Sequence, residues 1–263
     1  MEILNYVSPT DLSTAYSLVT EKKENKIIAG GAWQKISLKK VDTLISLDNL
    51  GLSYIKEENA YVEIGAMTVL REIEVNKAVK AIASGIISEA IGHIMGIGVR
   101  NIATIGGSVM GKFAFSDLLG VLLVLDARLE FYKLKDVSIF DFMNMKKLPE
   151  DILLNIKIPK ENVVGYFKKV AKTHLDFAVL NIAISKGDGF KIAVGSRPAQ
   201  AVLAINTANY LNSKKVVDDL VIEEAVDIAM DEISLRDNVR GSKEYRELLL
   251  KTYLKRGLKE VIK

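Results

Sequence analysis

The pattern of apolar and polar positions predicts a helix, two short strands and a glycine turn in the N-terminal part of the chain. Apolar residues recur there at the i, i+3, i+4, i+7 spacing that places them on one helix face: Leu12, Ala15, Tyr16 and Val19. Ser8 is the expected N-cap of this helix, and Pro9 suits its first position because that position needs no backbone N–H. Apolar runs at 27–29 and 44–47 then predict buried strands, with Gly30-Gly31 as a turn after the first.

The middle of the chain combines strand-like and helix-like patterns. Strict alternation or short apolar runs predict strands in three places: 61–66, 128–132 and 152–158. Thr68 is positioned to cap a helix over 69–76, and residues 77–91 continue in a helical register. These elements predict a second mixed unit.

Beyond Pro159 the pattern changes to a group of strands followed by a group of helices. Strands are predicted at 166–171, 178–185 and 190–195, the last two joined by the hairpin turn Gly187-Asp188-Gly189. Helices are predicted at 199–211 (with Pro198 at its start), 222–233 and 242–261. The predicted fold class is therefore α+β. Residues 1–52 and 53–160 form two N-terminal α+β subdomains, and residues 161–263 form a small antiparallel sheet with a three-helix layer.

Composition excludes several classes of protein and site. The chain has 263 residues and no cysteine, which excludes disulfides, thiolate zinc, a cysteine nucleophile and an iron–sulfur cluster on this chain. Its net charge of +3 gives no reason to expect nucleic-acid binding, and its two histidines, His93 and His174, make a histidine-built metal centre improbable. The N-terminus lacks a signal-peptide pattern, and the apolar stretch 81–99 is interrupted by Glu89, so a cytoplasmic protein without a membrane span is expected.

Two turns of the form strand–Gly-Gly are the strongest candidates for chemistry. They are Ile27-Ile28-Ala29-Gly30-Gly31-Ala32 and Ala103-Thr104-Ile105-Gly106-Gly107-Ser108. Adjacent glycines permit positive φ and let consecutive backbone N–H groups converge on an anion such as a phosphate. One such turn is weak evidence, because glycine ends many strands. Two of them, each after an apolar run, indicate a long ligand held from two sides.

Two other glycine motifs are weaker. Gly96-Ile97-Gly98-Val99-Arg100-Asn101 begins like the dinucleotide-binding fingerprint, but no strand clearly precedes it and Asn101 replaces the third glycine. The segment Gly106 to Lys112 fits a P-loop until Phe113, which replaces the Mg²⁺-binding Ser or Thr. A P-loop-like nucleotide-binding protein is kept as the less favoured alternative.

An ordered set of short motifs resembles a known family. The segment Arg100 to Ser108, followed by Ser116-Asp117, is similar to the "RNVATIGGN…SD" segment of the FAD-binding subunits of molybdenum hydroxylases. That family includes the medium subunit of aerobic carbon monoxide dehydrogenase and the flavin domain of xanthine dehydrogenase. Residues 28–31 resemble its "AGG" loop, 64–68 its "IGAxT" strand end and 240–246 its "RGSxEYR" segment. The motifs keep the family's order over nearly the whole chain.

The resemblance implies that the two N-terminal subdomains form an FAD-binding domain that holds the cofactor in an extended form. The implied cofactor-binding residues are Ala29, Gly30, Gly31, Ala32, Trp33, Ile94, Met95, Thr104, Gly106, Gly107, Ser108, Gly111, Asp117, Leu153 and Lys168. Within this set, residues 29–33 would line the pyrophosphate and Thr104 would donate a hydroxyl hydrogen bond. Asp117 would bind cofactor hydroxyls, and Lys168 would stabilise reduced anionic flavin.

The resemblance also implies a role in electron transfer, with no catalytic residue and no metal site on this chain. Electrons would leave the substrate at a molybdenum cofactor on a large subunit, pass through [2Fe–2S] centres on a small subunit and reach FAD here, before an external acceptor takes them. The implied assembly is a dimer of heterotrimers. The first alternative is a scaffold subunit of the same complex that has lost FAD, motivated by Ala32-Trp33 and Ser108 in place of the family's usual polar residues.

Several implied site residues have an ordinary structural explanation that stays open at this point. Asp117 is equally an N-cap before Leu118. Thr104 and Leu153 suit a sheet, and Lys168 suits a solvated strand position because lysine is mostly exposed.

Overall fold

The computed structural model describes residues 2–33, 40–197 and 199–263. Its strands are β1 (Glu2–Val7), β2 (Lys26–Ile28), β3 (Lys40–Ser46), β4 (Ile55–Glu57), β5 (Tyr61–Gly65), β6 (Arg128–Phe131), β7 (Lys135–Ser138), β8 (Leu153–Pro159), β9 (Val164–Val170), β10 (Leu180–Lys186), β11 (Phe190–Gly195) and β12 (Val202–Leu203). Its helices are α1 (Leu12–Glu21), α2 (Leu70–Val75), α3 (Lys77–Ala81), α4 (Ile86–Gly92), α5 (Ile97–Arg100), α6 (Ile105–Met110), α7 (Leu118–Val124), α8 (Ile139–Asn144), α9 (Ile205–Asn212), α10 (Asp219–Glu232) and α11 (Lys243–Ile262).

The chain divides into two compact units, each built from three separate segments. The first unit contains Met1–Ile73, Ile97–Gly111 and Asp126–Pro159. The second contains Glu74–Gly96, Lys112–Leu125 and Lys160–Lys263. Each sheet nevertheless takes its strands from one continuous range of the chain. The division at residues 52 and 160 that the sequence suggests stays a prediction.

A parallel sheet in the order β1-β3-β2 opens the first unit, with α1 between its first two strands along the chain. The apolar face predicted for α1 is confirmed, because Ala15 is fully buried with Leu12, Tyr16 and Val19 packed around it. The predicted cap is wrong: Asp11, not Ser8, accepts the backbone N–H of Thr14 at 2.9 Å. Sequence analysis missed β1, whose six residues are all exposed and lack alternation.

An antiparallel sheet in the order β4-β5-β8-β6-β7 completes the first unit. One face is apolar and buried, and the other carries charged residues in cross-strand pairs. On that polar face, Lys157 Nζ lies 2.7 Å from Glu130 Oε2 and 3.9 Å from Glu63 Oε2. This alternation is what made β5, β6 and β8 predictable from the sequence.

Two helical predictions in the middle of the chain need correction. Thr68 does not cap a helix; its hydroxyl accepts from the backbone N–H of Tyr54 at 3.0 Å and donates to the Tyr54 carbonyl at 2.8 Å. The helix predicted over 77–91 is broken at Ala83-Ser84-Gly85, whose φ angles are +45°, +59° and +81°. Three consecutive residues with positive φ are incompatible with a right-handed helix.

The second unit is built on an antiparallel sheet in the order β12-β11-β10-β9. Helices α9, α10 and α11 cover one face, where Ile182, Ile184 and Ile192 are buried with residues of those helices. Helix α7 lies against the other face, with Gly120 facing Ala183 and Ala193. The α+β prediction is confirmed, and the strand predicted at 190–195 has the predicted bounds.

The first helix predicted for this unit is the least accurate. Residues 202–203 form β12, and the helix begins only at Ile205. Pro198, expected at the start of that helix, lies outside the described residues. The last predicted helix is confirmed, with Ser242 Oγ accepting from the Tyr245 backbone N–H as its cap.

The segment 240–246 has a structural role. Arg246 is fully buried and donates to the carbonyls of Val179 at 2.9 Å and Arg236 at 2.8 Å, and to that of Gly241. Its other amino group donates to Asn238 Oδ1 at 2.6 Å. The guanidinium thus joins the start of α11 to the loop before it.

Candidate functional site

The first glycine turn, Ala29–Trp33, directly follows β2 and is half-buried. Gly31 has φ +65°, a conformation that glycine adopts without the steric cost a side chain would add. Within the described part of the chain, no acceptor takes a hydrogen bond from the backbone N–H of Gly30, Gly31 or Ala32. Consecutive N–H groups at a left-handed turn form a concavity that binds anions.

Gly30 brings this turn against the start of the second one. A Cβ atom on Gly30 would overlap the carbonyl oxygen of Ile102 and would lie 3.1 Å from the Cα atom of Ala103. Only glycine therefore fits between the two backbones. The structure thus brings together the two turns that the sequence places about seventy residues apart.

The second turn, Thr104–Ser108, is the first turn of helix α6. Thr104 is its N-cap: Thr104 Oγ1 accepts from the backbone N–H of Gly107 at 3.1 Å. Ser108 Oγ donates to the carbonyl of Thr104 at 2.9 Å. Gly106 and Gly107 are therefore helical residues, and the strand expected at Thr104-Ile105 is absent.

The N–H groups of this second turn already have acceptors within the chain. Ile105 N donates to the carbonyl of Thr68 at 3.0 Å, and Gly106 N donates to that of Ala66 at 2.9 Å. A Cβ on Gly106 would come within 2.6 Å of the same Ala66 oxygen. The glycines here allow close packing on the end of β5. This arrangement contradicts the P-loop alternative, in which these N–H groups would surround a phosphate.

Two further predicted residues lie in the same unit. Gly111 ends α6, and its backbone N–H donates to the carbonyl of Gly107 at 3.0 Å. Leu153 is buried in β8 opposite Phe131, and the next residue accepts from Ala66 N at 2.9 Å. Leu153 therefore directly precedes the residue whose carbonyl bonds to Ala66, and Gly106 packs against Ala66.

The remaining predicted residues belong to the second unit. Asp117 is buried: its Oδ2 lies 3.0 Å from Lys169 Nζ, and its Oδ1 accepts from Asn181 Nδ2 at 2.8 Å. Burial raises the pKa of the Asp117 carboxyl, while Lys169 and Asn181 act in the opposite direction. The capping alternative is wrong, because Ser116 Oγ rather than Asp117 accepts from the backbone N–H of Leu119.

Ile94 and Met95 follow the end of α4 and are half-buried. The backbone N–H of Ile94 donates to the carbonyl of Ile91 at 2.9 Å, and Met95 has φ +47°. This positive φ is strained for a residue with a side chain, and the surrounding structure must maintain it.

Lys168 and Lys169 point to opposite faces of β9, as neighbouring strand residues do. Lys168 is half-buried, with Nζ 5.5 Å from the centre of the Tyr253 ring. Lys169 is buried, and its Nζ donates to the carbonyl of His93 at 2.8 Å as well as contacting Asp117. Sequence analysis missed Lys169. The signal was its position two residues after the apolar Phe167, which places both side chains on the same face.

The dinucleotide fingerprint fails on structural context, as the sequence suggested. Helix α4, not a strand, precedes Gly96, and residues 97–100 form the short helix α5. Over the described residues there is no group of three or more His, Asp or Glu side chains that could hold a metal ion. No helix in the described ranges is long and apolar enough to cross a membrane.

Two family models match the chain. The model for the FAD-binding domain in molybdopterin dehydrogenase matches residues 2–161. The model for the C-terminal domain of the carbon monoxide dehydrogenase flavoprotein matches residues 165–261. Together they account for nearly the whole sequence.

Two relatives of similar length match over nearly their whole length. The nicotine 6-hydroxylase medium subunit of Paenarthrobacter nicotinovorans is 26% identical, over 98% of this chain and 96% of its own. The glyceraldehyde dehydrogenase medium chain of Sulfolobus acidocaldarius is also 26% identical, over 98% of both chains. A chain of carbon monoxide dehydrogenase from Hydrogenophaga pseudoflava has the same fold, with a TM-score of 0.89 at 22% identity over 98% of this chain and 96% of that one.

Proposed function

This chain belongs to the family of FAD-binding medium subunits of molybdenum hydroxylases, and on that premise we propose that it carries electrons from [2Fe–2S] centres of a partner subunit, through FAD, to an external acceptor. It is a flavoprotein subunit of an oxidoreductase, and its cofactor is FAD. FAD, when bound, supplies the capacity to take up and release electrons singly or as a hydride. The chain has no cysteine, so the iron–sulfur ligands must come from another subunit.

The observation that carries this proposal is the first glycine turn. Its three consecutive N–H groups, at Gly30, Gly31 and Ala32, lack acceptors among the described residues, and Gly31, in the middle, has a positive φ. Phosphate oxygens only accept hydrogen bonds, so these donors suit the pyrophosphate of FAD. Residues Ala29–Trp33 therefore line the pyrophosphate, and the residues present fit the cofactor at this position.

The second turn contributes differently. Thr104 Oγ1 accepts from Gly107 N, which leaves the hydroxyl hydrogen of Thr104 to donate to the cofactor. Gly106, Gly107, Ser108, Gly111 and Leu153 contribute shape and backbone position rather than charge. No residue of this chain acts as a general base or nucleophile, because electron transfer requires positioning and electrostatics alone.

The proposed cofactor-binding set also contains Ile94, Met95, Asp117 and Lys168. Ile94 and Met95 provide the apolar surface for the flavin ring. Lys168 provides a cation, and Asp117 binds hydroxyl groups of the cofactor. The proposed partners are a large molybdenum-cofactor subunit and a small [2Fe–2S] subunit in a dimer of heterotrimers, and a cytoplasmic location is part of the same proposal.

The first experiment measures FAD binding. The full chain, purified with any partner subunits that accompany it, is stripped of flavin and titrated with FAD while flavin fluorescence and the visible spectrum are recorded. We expect saturable binding of one FAD per chain. A chain that neither retains nor takes up FAD is the scaffold alternative, and the proposal fails.

The second experiment measures electron transfer in the assembled complex. After reduction by the substrate of the molybdenum subunit, the visible absorbance of the clusters and of the flavin is followed by stopped flow. We expect the flavin to be reduced after the clusters and reoxidised on addition of the acceptor. Flavin that stays oxidised while the clusters turn over would contradict the proposed electron path.

A further inference from the structure

A buried ion pair ties four segments of the second unit together. The side chains of Asp117 and Lys169 are 5% and 4% exposed, and their charged atoms are 3.0 Å apart. Asn181 Nδ2 donates to Asp117 Oδ1 at 2.8 Å, to the carbonyl of Ser116 at 3.1 Å and to Ser196 Oγ at 3.3 Å. Each oxygen of the Asp117 carboxylate therefore has its own partner, Lys169 for one and Asn181 for the other.

This arrangement costs free energy, which calls for an explanation beyond stability. Moving two charges out of water is expensive, and a buried pair often stabilises a fold no better than apolar residues of similar size. A role beyond stability would require the cation or the anion itself at this position.

The contact of Lys169 with the backbone of residue 93 indicates what that role is. Lys169 Nζ donates to the carbonyl of His93 at 2.8 Å. His93 directly precedes Ile94 and Met95, and the positive φ of Met95 has to be maintained by its surroundings. An ammonium fixed by Asp117 holds this carbonyl in place, so the position of residues 93–95 depends on the ion pair.

We propose that Asp117 and Lys169 act on FAD binding as one unit, by positioning the Ile94–Met95 segment, in addition to the contact of Asp117 with cofactor hydroxyls. This inference rests on the proposed function, which places the flavin ring against that segment. It makes both members of the pair positioning residues, and it distinguishes Lys169 from its neighbour Lys168, which lies on the opposite face of β9.

A double-mutant cycle tests the proposal in the full chain with its partner subunits. The variants are Asp117→Asn, Lys169→Met and both together, with Lys172→Met as the matched control, because Lys172 is an exposed lysine just after β9 whose Nζ also donates to a backbone carbonyl, that of Val239 at 3.3 Å. FAD affinity is measured by fluorescence titration, and the visible circular dichroism of bound flavin reports the surroundings of the ring. Thermal unfolding of the flavin-free protein is recorded in parallel.

If the pair acts as one unit, each single variant weakens FAD binding about tenfold, by analogy with the loss of a residue that orients a ligand-binding group. The double variant then binds no more weakly than the weaker single one. Both singles change the circular dichroism of the flavin, Lys169→Arg restores most of the affinity, and Lys172→Met leaves affinity within about twofold of wild type.

Two outcomes would overturn the inference. Asp117→Asn that weakens binding while Lys169→Met binds like wild type would mean that Asp117 acts only through its own contact with the cofactor. Lower unfolding temperatures with unchanged affinity and dichroism would mean that the pair serves the fold alone. A wild-type chain that binds no FAD is a separate result, because it overturns the proposed function itself.

A second measurement does not depend on variants, since breaking a buried pair can unfold a domain. Hydrogen exchange of wild type is compared with and without FAD. We expect added protection in residues 93–96 and, through the network, in residues 167–170. FAD that leaves both segments unprotected would refute the positioning role.

Discussion

The two glycine turns share a sequence pattern and differ in what their backbones do. In the turn at Ala29–Trp33, the N–H groups of Gly30, Gly31 and Ala32 have no acceptor among the described residues, and Gly31 has φ +65°. In the turn at Thr104–Ser108, the N–H groups donate to Thr68, Ala66 and Thr104. In the proposed function the first turn presents donors to a ligand, whereas the N–H groups of the second turn are used within the chain.

The comparison shows that a glycine pair marks a place where another group lies very close to the backbone. The pair does not indicate whether that group is a ligand or another part of the chain. At Gly30 and Gly106 the approaching group is another part of the backbone, the carbonyl of Ile102 or Ala66. At Gly31 the missing side chain permits the turn conformation itself. Substitutions at these glycines should therefore separate folding from FAD binding.

Gly30→Ala should have the largest effect. Its Cβ would overlap the Ile102 carbonyl oxygen, so the two turns must move apart. We expect a loss of about 3 kcal/mol in the free energy of unfolding and no measurable FAD binding. Chemical denaturation and fluorescence titration measure the two quantities. Gly98→Ala is the control, because nothing lies within 4 Å of the added Cβ there. A stable variant with wild-type affinity would contradict the contact between the turns.

Gly106→Ala should destabilise the protein without removing donors to FAD. The added Cβ would lie 2.6 Å from the Ala66 oxygen and 2.8 Å from the Ala66 Cβ. We expect a loss of about 2 kcal/mol in unfolding free energy, while the folded fraction still binds FAD. The check is a titration at low temperature, where the variant is folded. Full stability combined with lost affinity would show that the second turn contacts the cofactor as the first does.

Gly31→Ala and Gly107→Ala form a matched pair of smaller effects. Alanine at Gly31 must adopt φ +65°, at a cost of about 1–2 kcal/mol, and the distorted N–H groups should weaken FAD binding about tenfold, equivalent to about 1.4 kcal/mol. Gly107 is exposed and helical, and its added Cβ would lie 3.2 Å from Thr104 Oγ1. Its variant should stay within about 0.5 kcal/mol of wild type, and a small displacement of the Thr104 hydroxyl should weaken FAD binding less than Gly31→Ala does. Equal losses of affinity at both sites would remove the distinction between the turns.

Glu130→Gln should have the smallest effect. It tests how much one partly exposed ion pair contributes to the stability of the protein at acidic pH. The hydrogen bond from Lys157 holds the pKa of Glu130 below its ordinary value of 4.5. A lowered folded-state pKa contributes stability that is present above pH 4.5 and is lost as pH falls through the folded-state pKa. The contribution is below about 1 kcal/mol because the pair is partly exposed. Thermal unfolding from neutral pH downwards should show a shallower acid decline for the variant. An unchanged pH profile would mean that this ion pair contributes nothing measurable.

Much of the fold was predictable because its elements have distinct periods. Strands β5, β8 and β11 alternate or form apolar runs bounded by turns, and the apolar face of α1 has helical spacing. The errors occur where local pattern and tertiary contacts disagree. Strand β1 lacks alternation because neither of its faces is buried, and Thr68 bonds to Tyr54 instead of capping a helix. In both cases the structure depends on a partner distant in the sequence, which is β3 for strand β1 and Tyr54 for Thr68.

For the candidate site, the sequence supplied the glycine pairs, the absence of cysteine and the ordered motifs, because these are properties of residue type and spacing. It could not assign the charged residues. Asp117 suits a cap, a cofactor contact or an ion pair equally well until Lys169, fifty-two positions later, is seen at 3.0 Å. What a backbone N–H or a carboxylate does depends on which partners the fold brings within hydrogen-bond distance, and residues far apart in the chain meet only in the tertiary structure.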